Sequence, residues 1–154
     1  MLFLTFQLGK DRYAIEAAQV IEVLPLVNWK QIPRAPAGVA GVFDHHGAPV
    51  PLIDLAEMAL GQPSRKWMST RIILVNYRED SGVAHVLGLL AERATEVLRR
   101  NEEDFTPSGV AAGGAPYLGP VTTDGAGIVQ RIEIRSLLSE SVRDQLFREP
   151  VDAA

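Results

Sequence analysis

The sequence predicts an all-β chain with one or two short helices, folded as two small five-stranded barrels packed around a shared core. Three observations carry that expectation. Apolar residues recur mostly with a period of two, helix signals are few and short, and the two halves of the chain carry a weak internal repeat. A length of 154 residues suits one compact domain or two very small subdomains sharing a core, and 47% hydrophobic residues supply ample material to bury.

Taken in order, Leu2, Leu4, Phe6 and Leu8 alternate with Phe3, Thr5 and Gln7, which predicts a strand with one strongly apolar face. Gly9-Lys10-Asp11-Arg12 reads as a polar turn, after which Tyr13-Ala14-Ile15 resumes an extended pattern. Arg71 to Tyr77 is β-branched and apolar on both faces, as a strand covered on both sides would be, and Val83 to Leu90 continues that character. Gly127 to Ile134 is a further strand, led by Asp124-Gly125, a dipeptide suited to a tight hairpin. Asp54 with Glu57 resembles a capping box, and Gly61 would end that short helix. Ser139 can cap a last helix in which Leu138, Val142 and Leu146 share a face. Pro107 to Pro116 reads as a loop, and 149–154 as a fraying tail.

The repeat is carried by three matches in the same order. Glu22-Val23-Leu24 recurs as Glu96-Val97-Leu98, and Gly41 with Gly47 recurs as Gly119 with Gly125. Each glycine pair precedes an apolar strand ending near an acidic residue, Asp54 in one copy and Glu133 in the other. Copies of roughly 75 residues are too small to bury much alone, so a common core between them is physically sensible.

Charge and composition exclude several functions. A net charge of -4 argues against a nucleic-acid binder, which normally presents a basic field. With no cysteine there is no thiol nucleophile, disulfide or thiolate metal site. No basic-then-apolar leader opens the chain and no apolar run approaches the ~18 residues of a membrane span, so a cytoplasmic protein without membrane insertion is expected.

Catalytic constellations are weak. His45 and His46 are adjacent, and neighbouring side chains of a strand point to opposite faces, so they share a metal only if a turn falls between them. His85 reads as a packed strand residue, and no His-Glu-x-x-His is present. Ser64, Ser69 and Ser108 sit in loop-like surroundings without a nucleophile elbow, and Glu92 with Glu96 reads as an exposed acidic edge. The glycines from Gly109 to Gly119 do not form a phosphate loop. Trp29 and Trp67 are core-edge plugs or contact residues near loops.

The order and spacing of several segments resemble CheW-like coupling domains. They are Phe3-x-x-Phe6-x-Leu8-Gly9, Tyr13-Ala14-Ile15, Val20-Ile21-Glu22-Val23, Ile32-Pro33, Ala35-Pro36, Val39-Ala40-Gly41-Val42, Gly47 and Pro51 to Leu55. Gly88-Leu89-Leu90, Glu96-Val97-Leu98 and Ile128 to Leu138 extend the resemblance from Leu2 to about Leu138. It implies SH3-like barrels and a non-catalytic adaptor, without cofactor or metal, that joins the cytoplasmic tip of chemoreceptors to the regulatory domain of a CheA-type histidine kinase. It places receptor contact in the groove between barrels, at Val20, Glu22, Val23, Gly41, Val42 and His46. The chain departs from the family pattern at three places. Asp44-His45-His46-Gly47 replaces Asn-Leu-Arg-Gly, so that His46 stands where an arginine pairs with the glutamate at Glu22; Ala91-Glu92 replaces Val-Asp; Ile132-Glu133 replaces Leu-Asp.

The expected organisation is one domain over 1–148, with subdomains of approximately 1–70 and 71–138 and an N-terminal strand able to cross over. Two other readings stay open from the residues: a small metal-dependent or serine hydrolase, and a regulatory binding module of the same fold without a receptor.

Overall fold

A computed structural model of the chain describes residues 1–110 and 113–147, so the expected tail at 149–154 lies outside the described residues. In chain order the strands are β1 (Leu2–Leu8), β2 (Asp11–Glu16), β3 (Val20–Pro25), β4 (Val39–His45), β5 (Ala48–Asp54), β6 (Arg71–Arg78), β7 (Ala84–Arg99), β8 (Leu118–Asp124) and β9 (Gly127–Ile132). Helix α1 (Leu55–Leu60) follows β5, and α2 (Glu140–Leu146) follows β9 and a short 3₁₀ turn.

Pairing sorts these strands into two five-stranded barrels, and β7 serves both. In the first, β3 and the opening half of β7 flank β6 in antiparallel fashion, β5 lies parallel to β7 through Leu52 opposite Gly88, and β4 forms a hairpin with β5. In the second, β2 and the closing half of β7 flank β1, β9 lies parallel to β2, and β8 forms a hairpin with β9. The two sets have the same connections, shifted along the chain. A cut near residue 70 would part β6 from β3. Pairing groups 20–91, and groups 2–16 with 92–132, with β1 hydrogen-bonded to the closing half of β7. The reason is the length of β7, whose 16 residues run through both sheets. It bends where Arg93 takes a left-handed φ of 50°, next to a register shift against β1.

The repeated glutamate triplets hold equivalent places. Val23 lies opposite Ile73 of β6, and Val97 lies opposite Leu4 of β1. The glycines are offset by one residue. Val42 opposite Pro51 and bridged to Lys30 corresponds to Val121 opposite Gln130 and bridged to Thr106, which sets Gly41 against Pro120, not Gly119.

Alternation along the strands feeds three clusters. Leu4, Phe6, Leu8 and Ile15 meet Ile53, Ile73, Val75 and Leu89 in the shared core. Phe43, Val50, Leu52, Ile72, Leu74 and Leu90 fill the first barrel; Phe3, Ala14, Phe105 and Val129 fill the second. β1 is therefore buried on both faces, beyond the single apolar face that its alternation predicts, because Phe3 has its own barrel interior to enter. The helix ends follow their signals. Asp54 accepts from the backbone N–H groups of Ala56 and Glu57, Gly61 closes α1 at φ 75°, and Ser139 caps α2, whose Val142 and Leu146 pack on the shared core. β9 stops at Ile132, two residues before its expected end, as the chain turns into a 3₁₀ segment at Ile134.

Candidate partner-binding surface

β3 presents its residues to two different surroundings. Leu24 packs on the interior of the first barrel, and Glu22, two residues earlier on the same face, stands at the mouth of that barrel. Val23 belongs to the other face and is 39% exposed, so it is a surface residue and not a core one. Val20 is half-buried against the shared core. Between Val20 and Glu22 the register against β6 slips, leaving Ile21 exposed.

β4 supplies the second part. Val42 is half-buried and lines a groove of about 630 Å³ with Ile32, Pro36, Val39, Pro51 and Leu146 of α2. Gly41 belongs to the same groove but is itself buried, with φ 152°. A Cβ at Gly41 would stand 2.0 Å from the carbonyl oxygen of Lys30, so a side chain there would break the Lys30–Val42 bridge. Gly41 therefore shapes the groove through the backbone. A bulky replacement tests the fold before it tests any contact.

His46 opens the turn of the β4–β5 hairpin. His45 pairs with Ala48, and the two residues between them, His46 and Gly47, have φ of 53° and 85°. This mirror-image turn suits the twist of the flanking strands, and histidine is among the side chains that tolerate it best. It overturns the expectation of two histidines pointing apart. His45 ends the strand, His46 begins the turn, and their rings meet edge to face with centroids 4.2 Å apart. The ion-pair partner of Glu22 is His45, with Nε2 3.9 Å from Oε2, and not His46. Adjacency alone could not reveal this, because it depends on where the hairpin turns.

Elsewhere, three polar residues sit in structural roles. Glu92, read from the sequence as edge-exposed, is 3% exposed: Trp67 donates from Nε1 at 2.6 Å and Arg65 from Nε at 3.1 Å. Ser64 is buried on the Asp54 carboxylate, 2.6 Å from its Oδ1, which ties the loop after α1 to its cap. His85 stacks on Phe147 at 4.0 Å, as its packed reading anticipated. Arg131, which sequence reasoning passed over, occupies the place in the second barrel that Leu52 holds in the first. Its guanidinium lies over Phe3 and Phe105, bonds Glu102 at 3.0 Å and Glu16, and approaches Glu133 at 3.4 Å. Burial opposes its charge, but hydrogen bonding to Glu102 and the fields of Glu133 and Glu16 outweigh that and raise its pKa.

Two barrels sharing one long strand, with a groove and an exposed strand beside it, define a binding domain. Comparison with known proteins places it more closely. The profile of the CheW-like domain matches residues 2–142. A chemotaxis protein CheW of Treponema pallidum (strain Nichols) is 30% identical over 149 residues, covering 92% of this chain and 84% of that protein. A chemotaxis protein CheW of Helicobacter pylori is 28% identical over 106 residues, covering 68% of this chain and 61% of that one. In fold, the chain is similar to the crystal structure of the scaffolding protein TtCheW from Thermoanaerobacter tengcongensis, with a TM-score of 0.78 at 21% identity over 92% of this chain and 89% of that one. The chain belongs to the CheW-like domain family, whose members are non-catalytic adaptors of chemotaxis signalling. Among the described residues no helix is long and apolar enough to cross a membrane.

Proposed function

We propose that the chain couples the cytoplasmic tip of a chemoreceptor to the regulatory domain of a CheA-type histidine kinase, acting by binding alone. The observation that carries this reading is membership of the family across residues 2–142. The receptor surface is drawn from Val20, Glu22, Val23, Val42 and His46, with Gly41 shaping the backbone beneath. Exposed Ile21, Val23 and Ile32 give apolar area for a partner helix, and Glu22 gives a charge at its rim. Two barrels locked by a common strand and core hold two partners in a fixed geometry, so a change at one is felt at the other as position. Charge reversal separates the partners. With Glu22→Lys, affinity for a receptor-tip fragment should fall about five-fold, near the 1 kcal/mol of one rim charge, while affinity for the kinase regulatory domain stays within about two-fold. Equal loss of both, or no loss for the receptor fragment, would remove Glu22 from a receptor-specific surface.

A further inference from the structure

We infer that Glu22, His45 and His46 form a binding site for a divalent transition metal with the ligand preferences of zinc. Each residue offers one donor atom, and the three atoms lie within 4.8 Å of one another. A tetrahedral ion with bonds of about 2.0–2.1 Å sets its donors about 3.3 Å apart, so a pair must close by at most about 1.5 Å, a distance that side-chain rotation covers. The backbone keeps the three side chains beside one another. Glu22 is held by pairing with Leu74, His45 by pairing with Ala48, and His46 by the left-handed turn that stands its ring against that of His45. Buried Phe43, its ring 6.4 Å from that of His45, backs the site with an apolar wall. Among the described residues the only ion pair of Glu22 is to His45, so no lysine or arginine occupies the carboxylate. Neighbouring Asp44 adds negative charge.

The donor set selects the ion. Two imidazoles and one carboxylate suit zinc and its neighbours in the first transition row, whereas calcium and magnesium ask for oxygen. Three protein ligands leave a fourth position, which opens to solvent because Glu22 and His46 are both exposed. The site also spans a seam. β3 pairs with β6 and β4 with β5, so no strand ladder joins β3 to β4, and an ion there would tie the β4–β5 hairpin to β3 across the mouth of the first barrel.

The test uses the chain without a polyhistidine tag, titrated with zinc chloride by calorimetry. Wild type should bind one zinc per chain, and Glu22→Gln, His45→Gln and His46→Gly should each weaken it by about ten-fold or more. His46→Gly suits the positive φ of the turn, so that variant keeps the hairpin even if His45→Gln disturbs it. His85→Ala should bind zinc as wild type does, since among the described residues the one ion-pair partner of His85 is Glu79 at 3.5 Å, too few ligands to hold the ion. Proton NMR of the imidazoles should show zinc moving His45 and His46 and sparing His85. Absence of one-to-one binding up to millimolar zinc, or undiminished binding by His46→Gly and Glu22→Gln, would overturn the site.

Discussion

Replacing Gly41 with alanine adds one methyl group at the tightest backbone crossing in the proposed surface. That methyl would lie 2.0 Å from the Lys30 carbonyl oxygen and 2.8 Å from its carbonyl carbon, and neither is the movable end of a flexible side chain. Relief means separating β4 from the 30–31 segment and losing two hydrogen bonds, Lys30 N–H to Val42 O at 2.8 Å and Val42 N–H to Lys30 O at 2.9 Å. At about 1 kcal/mol each, with roughly 1–3 kcal/mol for alanine at φ 152°, Gly41→Ala should cost about 3–5 kcal/mol. For a chain of this size that is a fall in Tm of roughly 6–20 °C. Urea and thermal unfolding measure the cost, and amide exchange at Lys30 and Val42 locates it. A loss below about 1 kcal/mol with both amides still protected would refute the crossing argument. It would also restore Gly41 as a position where substitution reports on partner contact alone.

Two further outcomes follow from charges inside and between the barrels. Arg131→Met removes a guanidinium that is only 8% exposed and leaves Glu16, Glu102 and Glu133 facing one another; because those carboxylates are partly solvated, the expected cost is about 2–3 kcal/mol, read by urea unfolding, and a variant as stable as wild type would contradict it. Arg12 of β2 donates to Asp124 at the β8–β9 turn, 2.7 Å away, and with the backbone N–H of Ala126 it holds that carboxyl at about 2. A depressed folded pKa gives stability that is present above the unfolded value near 3.8 and is lost as pH falls through about 2, so Asp124→Asn should cost about 1 kcal/mol at neutral pH, after allowance for solvent screening, and only a small fraction of that at pH 2, where the folded carboxyl is half protonated. Equal destabilisation at both pH values would mean the pair is not the cause.

The strands, the caps at Asp54, Gly61 and Ser139 and the family were legible in the sequence because each rests on short spacings: a period of two, a carboxylate three residues from a glutamate, an ordered series of small motifs. The Glu-Val-Leu repeat was legible for the same reason, since equivalent strand positions ask for equivalent side chains. Which strands share a barrel was not. β7 carries no proline to end it after Leu90, yet its second half answers to β1, some ninety residues earlier in the chain, and only long-range pairing states that. Glu92 read as an exposed acidic edge and Arg131 carried no signal, and both are buried by their partners, which are Arg65 and Trp67 in one case and Glu16 and Glu102 in the other. The candidate site divides the same way. Glu22 and the histidine pair were visible as residue types in the sequence. Their meeting depends on a hairpin that turns at His46 and not one residue earlier or later, because a shift of one position sends an imidazole to the opposite face of the sheet.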